Sequence, residues 1–132
     1  MRLTENFHLK EFTRSATAAR LGIDNTPPIS MLPTLVATAR RLDNIRAILL
    51  YNPVIISSGY RSIALNTAVR GSPNSDHMKG LAVDIHLNGK MTPVEMIDWI
   101  LTSGYEFDQL ISYPTFLHIG WGERMRRQVI YI

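Results

Sequence analysis

The sequence predicts an α+β fold, with helices concentrated in its first half and short strands in its second. Three observations carry that prediction. Between Ser30 and Leu50 the apolar residues Leu32, Leu35, Val36, Ala39, Leu42, Ile45 and Leu49 recur at three- and four-residue steps, the period of a helix with one buried face. The β-branched run Val54-Ile55-Ile56 and the segment Leu81 to Leu87 are short and rich in strand formers. Three further short segments, Phe107 to Ser112, Phe116 to Trp121 and Gln128 to Ile132, follow one another with only Pro114 and Gly122-Glu123 as breaks. A small antiparallel sheet with helices packed mainly on one face is the economical arrangement, and it leaves the other face open for a cleft. With 132 residues, 45% of them hydrophobic, the chain is expected to form a single domain over residues 1–132.

Taken in order, Thr4 is a candidate N-cap for a short segment holding Phe7, Leu9 and Phe12, and Asn25-Thr26-Pro27-Pro28 forces an extended turn. The opening thus reads as a wrapping arm. Ser30 can cap the long helix, which Asn52-Pro53 stops before the strand ending at Gly59. Ser62 can cap a brief helix through Val69, and Gly71-Ser72-Pro73-Asn74-Ser75 is dense enough in turn formers to place Asp76 and His77 on a loop. On the strand that follows Gly80, a period of two puts Asp84 and His86 on one face. Thr92 to about Ser103 is the next helix, with Pro93 in its first turn and Gly104 at its end. Trp99 is expected in the core with Met96 and Ile100.

Composition removes several function classes. No apolar run approaches the roughly 20 residues of a membrane span, and charged residues interrupt the opening where a Sec-type leader would be apolar, so a cytoplasmic, soluble chain is expected. The absence of cysteine excludes thiol nucleophiles and Cys-ligated metal. A formal charge of +3 is small, and no basic stripe interleaved with aromatics accompanies it, so nucleic acid is not an expected partner.

The chemistry concentrates in Ser75-Asp76-His77-Met78-Lys79-Gly80-Leu81-Ala82-Val83-Asp84, with His118 lying 34 positions beyond Asp84 on another strand. Two imidazoles and a carboxylate suit Zn²⁺, which in catalytic sites keeps a position for water. By spacing alone His86 could take the place of His118. A carboxylate among Ala82, Val83, Ile85 and Leu87 is costly to bury unless paired or metal-bound, whereas ordinary pairing of Asp84 with an arginine is the plainer alternative. Upstream, Arg61 follows a buried strand, where a fixed guanidinium can hold a carboxylate or an oxyanion.

Ser58-Gly59-Tyr60-Arg61-Ser62, then Ser-x-His-x-x-Gly-x-Ala-x-Asp at 75–84, then a distal His on a strand, resemble the zinc D-Ala-D-Ala carboxypeptidases of peptidase family M15. Asn6 to Phe12, Asn25 to Pro28 and Phe107 to Ile111 resemble its short phage and prophage endolysin branch. The resemblance implies a hedgehog/DD-peptidase fold, zinc on His77, Asp84 and His118, and substrate held by Arg61 with Ser75 beside it. It implies bacterial peptidoglycan as the partner, acted on by a monomer made without a Sec signal and released to the wall by a separate factor.

One departure concerns the general base. Where relatives place an acid three residues before the distal His this chain has Thr115, with Phe116 next to it, and where the phage-like branch places a glutamate it has Ser112-Tyr113-Pro114. Asp108 is the acid best placed to serve as base; its plainer role is to bond backbone N–H groups of a turn. Glu106 and Glu123 are less well placed, and a phenol such as Tyr113 can donate a hydrogen bond but is a poor base. Trp121, between Gly120 and Gly122, is expected either to line the cleft and touch substrate or to plug the core.

Overall fold

A computed structural model describes every residue from Met1 to Ile132. Five helices, α1 (Leu9–Thr13), α2 (Ala16–Leu21), α3 (Leu32–Ile48), α4 (Ile63–Ala68) and α5 (Pro93–Ser103), accompany five strands. The strands are β1 (Ile55–Ser58), β2 (Ala82–His86), β3 (Gln109–Ser112), β4 (Leu117–Gly120) and β5 (Gln128–Tyr131). The fold is α+β, consistent with that of M15 peptidases. The strands form one sheet in the order β1-β2-β4-β3-β5. No helix is long and apolar enough to cross a membrane.

Alternation along the strands separates two faces. Ile56, Val83, Ile85, Leu110, Leu117 and Ile119 point into a core of 23 buried residues, where Leu35, Ala39, Leu42 and Ile45 of α3 and Met96, Ile97 and Ile100 of α5 meet them. Each fully buried aliphatic side chain of this kind contributes about 1.5–3 kcal/mol of transfer free energy. The opposite face carries the polar residues discussed below.

The sheet departs from the expected all-antiparallel form at one edge, where β5 runs parallel to β3. After β4 the chain does not turn back beside it; residues 121–127 pass over the start of β3, fixed by the Arg127 N–H to Phe107 O (3.0 Å) and the Gln128 N–H to Asp108 O (2.9 Å). Met125 and Arg127 take positive φ, 45° and 50°, to make that crossing, a conformation the sequence does not advertise with glycine.

Other differences are local. Thr4 does not cap a helix: its Oγ1 accepts from the Asn6 and Phe7 N–H groups in a turn, and α1 starts at Leu9, with the His8 N–H donating to Glu11 (2.7 Å). The arm holds a second helix, α2, which Ser15 caps through the Ala18 N–H (3.1 Å) and Gly22 ends at φ 69°. Trp99 is 44% exposed. At 100° per residue it stands to one side of the stripe formed by Met96, Ile97 and Ile100, so the core closes without it.

Candidate active site

Strand register builds the floor of the open face. Ser58, Asp84, His118 and Ile111 are successive Cα partners across β1, β2, β4 and β3. They form one transverse row whose side chains share a face. His77 reaches this row from outside the sheet, on a 3-10 turn (Asp76–Lys79) whose first N–H groups are capped by Ser75 Oγ, which accepts from the His77 N–H at 3.2 Å. Gly80 ends the turn at φ 71°, where only glycine is unstrained. Thr38 of α3 donates to the Gly80 carbonyl at 2.6 Å, tying the turn to the core helix.

The three polar groups converge closely. His77 Nε2 lies 3.2 Å and His118 Nδ1 2.9 Å from the same Asp84 Oδ1, and the candidate donor atoms all lie within 4.8 Å of one another. His77 Nδ1 sits 2.7 Å from the Gly59 carbonyl. A carbonyl only accepts, so Nδ1 carries the proton and a neutral His77 turns the lone pair of Nε2 toward a carboxylate. That buried Nε2 has no hydrogen-bond partner. Two acceptors facing each other in a buried place call for a cation between them, and the carbonyl behind the ring is the support that metal-ligating histidines commonly have. The residues therefore fit a metal ion. Burial acts to raise the Asp84 carboxyl, but the hydrogen bond with His118 and the His77 ring beside it outweigh burial and hold the group well below the usual carboxylate range.

Arg61 stands beside this trio. Its Nε donates to Ser58 Oγ (3.2 Å), its Nη1 to Asn66 Oδ1 (3.3 Å), and its Nη2 lies 3.5 Å from Asp84 Oδ2. Burial pulls the guanidinium below its ordinary value, against the opposing influence of Asp84 and Tyr113. Of five N–H groups, at least two remain for a ligand. Asn66, itself 3% exposed, is fixed through its Nδ2 to Ser72 O (2.9 Å), and Gly71 leaves the room: a Cβ there would come within 2.1 Å of Asn66 Oδ1 and 3.0 Å of Arg61 Nη1. Above these groups opens a cleft of about 850 Å³, lined mostly by polar residues.

Residues 5–120 match the model of the peptidase M15 family. The chain belongs to peptidase family M15. No curated protein matches it. M15 peptidases are metallopeptidases, and the His77, Asp84 and His118 group is where this member could hold a metal.

The wall of the M15 cleft opposite Arg61 comes from the crossing segment 121–127. Asp108, 2% exposed at the foot of β3, accepts at Oδ1 from the Arg126 backbone N–H (3.0 Å) and Nε (2.9 Å), and at Oδ2 from Nη2 (3.0 Å). This is the turn-bonding role rather than a free carboxylate, and these hydrogen bonds hold its carboxyl below the usual range. Gly122 is squeezed between carboxylates, since a Cβ there would lie 2.8 Å from Asp108 Oδ2 and 2.9 Å from Asp76 Oδ2. Trp121 does not line the cleft; it is 3% exposed and packs in the core cluster. Ser75 lines the cleft as well as capping the turn.

His86, the alternative ligand by spacing, faces a different depression near Thr92 and Pro114, and its Nδ1 accepts the Asn88 N–H (3.2 Å). Sequence reasoning missed Asn66, Gly71 and Arg126. Only Gly71 left a trace, as a turn former after a helix; Asn66 bonds Arg61 and Ser72, five and six positions away, whereas Arg126 reaches Asp108 across a crossing that no local pattern encodes. Asn25, read as a turn residue, also braces the Arg61 segment by donating to Tyr60 O (3.0 Å) and accepting the Ser62 N–H (2.7 Å).

Proposed function

We propose that this M15 protein is a zinc peptidase that hydrolyses an amide bond in the stem peptides of bacterial peptidoglycan, as a D-Ala-D-Ala carboxypeptidase or an endopeptidase. The observation that carries the reading is the buried, partnerless Nε2 of His77 turned toward Asp84 and His118 at the bottom of an open polar cleft. Two imidazoles and a carboxylate suit Zn²⁺. Bound there, zinc supplies Lewis acidity, which eases ionisation of water and polarises a carbonyl.

The chain's own residues do the rest. Gly59 fixes the His77 ring, Ser75 sets the turn that carries it, and the N–H groups left on Arg61 take a substrate carboxylate, a pairing that Arg geometry favours. Asp108 was the acid expected to accept the proton of water, but a carboxylate clamped by Arg126 accepts one poorly near neutral pH, so the reading assigns it to the cleft wall. The proton then passes to solvent through the open cleft. Turnover should be slow, because a positioned base contributes about 10²–10⁴-fold. On the same reading the protein is a monomer of phage or prophage origin, made in the cytoplasm and released to the wall by a separate factor.

The clamp on Asp108 also favours a second reading, a zinc-holding wall-binding or phage structural module without turnover. Elemental analysis of untagged protein, paired with peptidoglycan digestion and mass spectrometry, separates the two. About one zinc per chain, as a mononuclear site requires, with a defined cleavage mass supports the peptidase; zinc without products supports the binding module. A chain that takes up no zinc on reloading overturns both.

A further inference from the structure

The tip of the β3–β4 hairpin carries two aromatic rings that the site described above does not use. Ile111 is the register partner of His118. Two residues farther along each strand, Tyr113 and Phe116 therefore share the cleft face, and the Tyr113 N–H closes the turn on Phe116 O at 3.0 Å. Their rings are stacked, with centroids 4.5 Å apart and planes 13° from parallel. Both line the cleft together with Arg61 and His118. A strand rise of about 3.3 Å per residue sets Tyr113 roughly 7 Å from the row of Asp84 and His118, within reach of a tyrosine side chain leaning back over it. The hydroxyl enters none of the side-chain hydrogen bonds that hold the cleft walls.

We propose that Tyr113 is a catalytic residue, donating its phenolic O–H to the oxygen that becomes negative when water adds to the scissile carbonyl, and that Phe116 is its positioning residue. This rests on the amide-hydrolase reading above. The oxygen of water bonds to the carbonyl carbon, a proton of that water goes to solvent, and the C–O π pair moves onto oxygen. Tyr113 keeps its proton throughout and hydrogen-bonds that oxygen. Collapse restores the carbonyl, breaks the C–N bond and releases the amine with a proton from solvent. A phenolic O–H held in place by a stacked ring needs no reorganisation as charge develops.

Stacking needs the rings and catalysis needs the hydroxyl, so Tyr113→Phe divides the two. The zinc-loaded full chain is assayed on a stem pentapeptide, and binding of a phosphinate isostere of the scissile bond is measured by calorimetry. Expected for Tyr113→Phe is a fall in kcat of about 10²-fold, as for loss of an oxyanion donor, with KM, zinc content and Tm unchanged and phosphinate affinity weakened by a similar factor. Phe116→Leu should lower kcat with little change in KM, and Phe116→Tyr should restore it. A kcat within threefold of wild type in Tyr113→Phe, or equal weakening of phosphinate and uncleaved substrate, overturns the proposal. If the wild-type chain yields no product or fails to bind the phosphinate, the peptidase reading fails and the tyrosine assignment with it, whereas product from the wild type with an unchanged kcat in Tyr113→Phe overturns the tyrosine assignment alone.

Discussion

The floor of the cleft and its walls are built on different principles. Asp84 and His118 are neighbours because β2 and β4 are in register, and every side chain in their row is placed by the same ladder that forms the sheet. The walls depend instead on side-chain contacts outside that ladder: Arg61 on Asn66, and the crossing segment on Asp108. A floor made this way resists displacement and loses function only when a ligand atom is lost. Walls made this way shift when one contact is removed, and so should tune substrate binding without abolishing metal uptake.

The largest effect should come from the floor. Asp84→Asn keeps the shape of the side chain but removes the charge toward which both histidines converge. Zinc content after dialysis should fall to background, a loss beyond the 10–100-fold typical of changes one shell out, with circular dichroism unchanged. Retention of zinc at wild-type stoichiometry would show that the trio is an ordinary buried ion pair.

On the Arg61 wall, Gly71→Ala should act more mildly. The added Cβ must displace Asn66 or Arg61, an overpacking that typically costs about 1–3 kcal/mol, and the guanidinium loses its fixed orientation. The expected outcome is a rise in KM of about tenfold, as for loss of about 1.4 kcal/mol of binding, with zinc content intact. If zinc is lost as well, wall and floor are not separate units.

The floor was legible in the sequence for the same reason that it is rigid. Alternation identifies which strand residues share a face, and it offered both His86 and His118 as partners for Asp84; the M15 resemblance chose His118, and Ser75 to Gly80 spells out its own turn. The walls were not legible. Nothing near Arg126 announces that its guanidinium will hold Asp108, because the crossing over β3 depends on residues at positive φ that are not glycine, and Trp121 was ambiguous because adjacent glycines fit a cleft and a core equally well. The parallel placement of β5 was hidden by the same segment.

The opposite wall makes a smaller, pH-dependent prediction. The carboxyl of Asp108 is held below its unfolded value near 3.9, so between the folded and unfolded values the unfolded chain binds more protons and stability rises with pH. The contribution is complete above about pH 4 and is lost as pH falls through the folded value. Asp108→Asn should remove this part of the slope, so Tm profiles of the metal-free proteins from pH 5 downward should converge in acid, the variant being the less stable above pH 4. Activity should fall by less than about threefold, since an anchor and not a base is removed; a loss of about 10²-fold or more would restore Asp108 as the general base.

The smallest expected effect tests the register argument most sharply. His86 shares the face of β2 with Asp84, and spacing alone allowed it as a ligand. It lies two residues along the strand, about 6.6–6.8 Å away, beyond the last β2–β4 pair, Ile85 with Leu117, and opposite Ile55 instead. No register partner brings it toward His77, and its Nδ1 already accepts the Asn88 N–H. His86→Gln should therefore leave zinc stoichiometry and affinity at wild-type values, while His118→Gln, in the Asp84 row, should lose the metal. Equal loss in both variants would mean that the row does not define the ligand set and that sharing a face is enough.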